Sequence, residues 1–124
     1  MGNKTLTLVA IVDDDQPVRE SISSLLRSAG YKTAAFSSAE SFLTSDHVKE
    51  PHCLVLDVVM PGLSGIELQT QLRARKCFTP IIFITARADD DHIRDVALGQ
   101  GAKAFLGKPF NDDVLLDAIG SILK

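Results

Sequence analysis

The chain has 124 residues, 45% of them hydrophobic, which is enough for one buried core and too few for two ordinary domains. A net charge of −3 with no long basic run removes the electrostatic basis for direct nucleic-acid binding, which leaves a basic footprint. No apolar stretch approaches the roughly 20 residues that a membrane helix needs, and the segment Met1-Gly2-Asn3-Lys4 resembles neither a secretion signal nor, with Leu6 where Ser or Thr is required, a myristoylation motif.

Leu6 to Val12 is a continuous apolar run ending in carboxylates, the pattern of a strand buried on both faces. Pro17 suits a first helical turn, and Val18, Ile22, Leu25, Leu26 and Ala29 then share one helical face before Gly30 ends it. Lys32 to Phe36 reads as a second strand. Ser37 and Glu40 have capping-box spacing ahead of Phe42 and Leu43, so a short second helix is expected there. Cys53 to Asp57 is the third strand, followed by the turn Met60-Pro61-Gly62-Leu63-Ser64-Gly65. A second capping-box pair, Ser64 and Glu67, opens a third helix with Ile66 and Leu72 facing inward. Pro80 to Thr85 is the fourth strand. Asp89, Asp90 and Asp91 suit the N-terminus of a fourth helix carrying Ile93, Val96 and Ala97, with a stop at Gly99 to Gly101. Lys103 to Gly107 is the fifth strand, and Asn111 caps a last helix with Leu115, Ala118, Ile119 and Ile122 on its buried face.

Five alternations of strand and helix predict an α/β domain with a parallel sheet covered on both faces. Asp13, Asp14, Asp57, Thr85 and Lys108 all fall at or just after predicted strand ends, where open sheets of this kind bind ligands. Three carboxylates held about 4 Å apart repel by about 4 kcal/mol per pair at an effective dielectric near 20. A hard divalent cation and the Lys108 ammonium would compensate them and together position a phosphoryl group.

Four segments carry a resemblance to a known family: Ile11-Val12-Asp13-Asp14-Asp15, Leu56-Asp57-Val58-Val59-Met60-Pro61-Gly62-Leu63-Ser64-Gly65, Ile84-Thr85-Ala86, and Ala104-Phe105-Leu106-Gly107-Lys108-Pro109-Phe110. In order and spacing the whole chain resembles the receiver domain of bacterial two-component response regulators, and within it the FixJ-type group. The resemblance implies a five-stranded, doubly wound, flavodoxin-like fold with strand order 2-1-3-4-5 and five helices, spanning residues 1–124, with no effector domain in the chain. It implies a cytoplasmic, stoichiometric phosphoacceptor with self-catalysed transfer and autodephosphorylation. Asp57 is then the phosphoacceptor, served by a sensor histidine kinase. Asp14 ligates Mg²⁺ directly, Asp13 acts through water, and Asp57 and the Val59 carbonyl complete the metal site. Lys108 and Thr85 contact the phosphoryl group, Phe105 is the switch aromatic, and Pro109 shapes the turn through a cis bond. The resemblance further implies phosphorylation-dependent homodimerisation through the fourth helix and fifth strand, where Val96, Ala97 and Phe105 would meet beside Arg94 and Lys103. Val59 and Arg87 stand at positions that tune the access of water to the acyl phosphate in this family, and an apolar valine cannot orient that water.

Two other readings compete. Asp13-Asp14-Asp15-Gln16-Pro17 nearly fits the nucleophile motif of haloacid-dehalogenase-type phosphohydrolases, although Pro17 replaces its Thr or Val. A receiver-like binding module that signals without phosphorylation is the other. Cys53 and Cys77 lack Cys-x-x-Cys spacing and read as reduced structural thiols. His47, His52 and His92 share no metal-ligand spacing and read as surface or packing residues.

Overall fold

In a computed structural model, residues 7–46 and 48–123 are described; the expectations placed on Met1 to Leu6, His47 and Lys124 lie outside the described residues. Strand and helix alternate in the order β1 (Leu8–Val12), α1 (Gln16–Ser28), β2 (Lys32–Phe36), α2 (Ala39–Leu43), β3 (Cys53–Asp57), α3 (Gly65–Ala74), β4 (Ile81–Thr85), α4 (Asp91–Gly99), β5 (Ala104–Gly107) and α5 (Asp112–Ile122). The five strands form one parallel sheet in the order β2-β1-β3-β4-β5. The chain leaves β1 toward β2 on one side and returns to β3 on the other, so the strand order reverses at the carboxyl ends of β1 and β3.

Period-two alternation divides the core into two layers. Val9, Ile11, Cys53, Val55, Ile82 and Ile84 point to one face, where Ile22 and Leu26 of α1 and Leu115 and Ile119 of α5 cover them. Ala10, Val12, Leu54, Leu56, Ile81 and Phe83 point to the other, beneath Phe42 of α2, Leu68 and Leu72 of α3, and Ala97 of α4. Because β3 and β4 are buried along their whole length, their residues are apolar until the last position, where Asp57 and Thr85 emerge.

Side-chain caps set where the helices begin. Asp15, Ser64, Asp90 and Asn111 each accept a hydrogen bond from a backbone N–H of the following turn, a contribution of about 1 kcal/mol apiece. Ser64 and Glu67 form the expected capping box, with bonds of 3.1 and 3.0 Å. Asp90 takes the capping role among the three aspartates ahead of α4.

The expected capping box of Ser37 and Glu40 does not form. Ser38 is the cap and accepts from Ser41 N at 3.0 Å, because this phase turns both Ala39 and Phe42 into the core. Glu40 then stands one residue too early to reach back to the cap. The fourth strand begins at Ile81 rather than Pro80, and the fifth at Ala104 rather than Lys103. Ala97, expected on an outward contact face, is fully buried, while its neighbour Leu98 is exposed.

Candidate functional site

The registers that pair Val12 with Leu56, Asp57 with Ile84 and Thr85 with Gly107 bring four strand ends level with one another. Asp13, Asp57, Thr85 and Lys108 therefore meet in one crevice. Lys108 is anchored by its backbone N–H, which donates to the Thr85 carbonyl at 2.8 Å, and it precedes a cis peptide to Pro109 as expected. Its ammonium lies 2.8 Å from Asp13 Oδ2 and 3.3 Å from Asp57 Oδ2. One cation thus bridges two buried carboxylates.

Burial raises the pKa of Asp57, the charge of Asp13 raises it further, and Lys108 and the Val59 N–H oppose them only in part, leaving it at about 6. Burial by itself would lower the pKa of Lys108, but the Asp13 and Asp57 carboxylates outweigh that effect and hold it above its ordinary value. The ammonium is therefore charged at neutral pH, when Asp57 is largely ionised.

Asp13 is wholly enclosed. Its Oδ1 accepts from Asp15 N at 2.9 Å, while its Oδ2 faces the ammonium without an aligned hydrogen-bond donor. Asp14 is exposed at the rim, and Asp13, Asp14 and Asp57 each bring a carboxylate oxygen within 4.8 Å of the others. Hard oxygen donors, an incompletely satisfied buried oxygen and an open solvent side fit a Mg²⁺ ion, which takes few carboxylates and keeps several waters.

Beside the carboxylates, Asp57, Val59, Thr85, Ala86, Arg87 and Lys108 line a cleft of about 240 Å³. Thr85 is buried, and its Oγ1 accepts from Arg87 N at 2.9 Å, which leaves its own O–H free to donate. Val59 is 58% exposed at the lip, and its N–H donates to Asp57 Oδ1 over a long 3.4 Å. Gly65 packs directly on the Asp57 carbonyl, where a Cβ would clash. Phe105 stands apart from the cleft, half-buried, with its ring centred 6.2 Å from that of Phe83.

Sequence reasoning missed two residues. Arg19 donates to the Asp13 carbonyl, 6 residues earlier in the chain, at 2.7 Å, and Glu40 accepts from Leu63 N at 2.9 Å. The first could be found from its place near the start of α1. The second joins positions 23 residues apart and leaves no local signal. The two described histidines stay out of the site: His52 accepts from Leu8 N at the opposite end of the sheet, and His92 is exposed on α4. Cys53 is buried and Cys77 half-buried, and neither forms a disulfide. No helix among the described residues is long and apolar enough to cross a membrane.

The chain is similar to Nodulation protein W of Bradyrhizobium diazoefficiens, at 44% identity over 115 residues that cover 93% of this chain and 50% of the relative. It is 38% identical over 115 residues to Transcriptional regulatory protein FixJ of Azorhizobium caulinodans, covering 93% of this chain and 54% of that protein. It spans about half the length of the curated relatives it matches. Among solved structures, response regulator StyR is 49% identical with a TM-score of 0.84, over 93% of this chain and 58% of that one. A response regulator receiver protein from Burkholderia phymatum is 41% identical with a TM-score of 0.80, over 94% of each chain. The family model of the response regulator receiver domain matches residues 9–120, a span that contains all of the sheet but Leu8 and every residue of the crevice, and the chain belongs to that family.

Proposed function

We propose that Asp57 accepts a phosphoryl group from a phosphohistidine of a sensor histidine kinase and that the modified site changes the surface formed by α4 and β5. Receiver domains interact with such kinases and bind Mg²⁺ at an acidic cluster. In this chain Asp14 would hold the ion directly, Asp13 through water, and Asp57 and the Val59 carbonyl would complete the set. When bound, Mg²⁺ neutralises charge on the phosphoryl oxygens.

One Asp57 carboxylate oxygen attacks phosphorus while the bond from phosphorus to the histidine nitrogen breaks, and the leaving imidazole keeps the electron pair. Lys108, already 3.3 Å from Asp57 Oδ2, pairs with the transferred oxygens. Thr85 turns its free O–H to another, giving up the bond from Arg87 N. Phe105 then follows the space vacated by Thr85. The observation that carries this reading is the Lys108 ammonium shared between Asp13 and Asp57, because it supplies fixed positive charge where phosphoryl charge would arrive. Twofold longer relatives, one of them named a transcriptional regulatory protein, support a cytoplasmic role in which the output is transcription through a further domain.

A small phosphodonor with Mg²⁺ tests the proposal. Mass spectrometry is expected to find one phosphoryl group on Asp57 and none in Asp57→Asn. Label on Asp13 would favour the phosphohydrolase reading, which the enclosure of Asp13 speaks against. Absence of label in protein that binds Mg²⁺ would favour a module that signals without phosphorylation.

A further inference from the structure

The loop from Val58 to Gly65 carries the Val59 backbone that flanks Asp57. It is closed at its base by the bond from Gly65 N to Val58 O at 2.8 Å, and Met60 is buried beneath it. Its tip is held from outside by a side chain of another element. Glu40, on α2, accepts from Leu63 N at 2.9 Å through Oε2. The same carboxylate fills the hollow of the turn at Gly62, where φ is +77° and a Cβ would stand 2.5 Å from Glu40 Oε2. Two features thus match one another: a glycine turn that admits the carboxylate, and a carboxylate that satisfies the N–H the turn exposes. α2 is itself fixed, since Phe42 is buried and meets Phe36 edge-to-face at 5.2 Å. Glu40 is therefore mounted on a rigid base.

We propose that Glu40 is a positioning residue that holds the loop after β3 so that the Val59 backbone and the Asp57 carboxylate are aligned for the metal. Glu40 itself is at neither the metal nor the phosphoryl cleft and acts through the loop. The Leu63 N–H draws the Glu40 carboxyl below its ordinary pKa, which agrees with an ionised acceptor at this bond. The inference rests on the Mg²⁺ reading above.

The test compares Mg²⁺ titrations of wild type, Glu40→Ala and Glu40→Gln, followed by backbone amide NMR shifts of Asp57 to Leu63. Glu40→Ala is expected to weaken Mg²⁺ binding about fivefold, less than the 10–100-fold that follows loss of a partner bonded to a ligand itself. Glu40→Gln removes the charge but keeps an oxygen acceptor, so it is expected to restore binding to within about twofold of wild type, in keeping with a bond whose geometry outweighs its charge. In wild type, saturation with Mg²⁺ is expected to slow hydrogen exchange at Leu63, since coupling between sites is reciprocal. Equal affinity in wild type and Glu40→Ala would overturn the inference. Equal loss in both variants would also overturn it, because the effect would then be the long-range field of one carboxylate. A wild type that binds no Mg²⁺ would instead sink the metal reading on which the inference rests.

Discussion

At the scale of single residues, the crevice stores electrostatic cost. The folded protein holds a proton on Asp57 up to about pH 6, whereas the unfolded chain releases it near 3.8. The folded state thus binds more protons between those values. The contribution of Asp57 to stability is fully present below the unfolded pKa and is lost as pH rises through about 6. Undiscounted, the displacement is worth about 3 kcal/mol, and water in the open cleft screens it to about 1 kcal/mol. In urea unfolding without Mg²⁺, Asp57→Asn is expected to be about 1 kcal/mol more stable than wild type at pH 7.5, with the advantage shrinking toward pH 5. A gap that stays constant across that range would place the cost elsewhere. Thr85→Ala tests the proposed switch, because Thr85 is the buried hydroxyl nearest the β4 end of the cleft. The variant is expected to take up the phosphoryl group while its amide spectrum shows little of the wild-type change in α4 and β5. The full wild-type change in the variant would remove Thr85 from the switch.

Among the elements, α3 and α4 are joined by polar side chains as well as by core packing. Gln69 is buried and donates to the Ala97 carbonyl at 3.0 Å. Thr70 reaches Gln100 Oε1 at 2.9 Å, and Arg73 donates to the Gln100 carbonyl. All three secure the C-terminal end of α4, while its N-terminal end is capped by Asp90, five residues after Thr85. Gln69 Oε1 has no hydrogen-bond partner, and the Ala97 carbonyl also accepts from Ala102 N. Replacing Gln69 with Met removes the unsatisfied oxygen and leaves that carbonyl bonded, so stability is expected to stay within about 1 kcal/mol of wild type. Gln69→Ala also empties the site and is expected to cost about 2 kcal/mol. Denaturant midpoints check both, and a loss in Met as large as that in Ala would mean that the amide bond dominates over packing.

For the molecule as a whole, the doubly wound sheet separates the candidate site from the face formed by α4 and β5. Asp57 lies at the end of a strand enclosed by both core layers, whereas β5 at the sheet edge and α4 beside it meet solvent. Leu98 is exposed on α4 one helical turn from Arg94, and Phe105 is only half-buried. The phosphorylated form is expected to self-associate through this face at least tenfold more tightly than the unmodified form, a difference of about 1.4 kcal/mol. Sedimentation at matched concentration and Mg²⁺, with and without a stable phosphoryl mimic, checks it. Equal monomer fractions would leave a monomeric receiver that acts on a different partner.

The five strands, the five helices and the crevice residues Asp13, Asp14, Asp57, Thr85 and Lys108 were legible in the amino-acid sequence. Continuous apolar runs that end abruptly in charge mark buried strands and their carboxyl ends, and helical spacing and caps are local signals within a few residues. The strand order came from the family resemblance, because alternation alone specifies a parallel sheet but not which strands are neighbours. Tertiary structure decided the remainder. Ser38 rather than Ser37 caps α2 because burial of Ala39 and Phe42 sets the helix phase, and propensity cannot see that core. Ala97 is sealed by the packing of α3 against α4, although its spacing is equally consistent with an outer face. Glu40 finds Leu63, Gln69 finds Ala97, and one lysine finds two carboxylates 95 and 51 residues earlier. Those contacts exist only once parallel crossovers bring distant segments together, and the side chains that make them carry no mark of their partners.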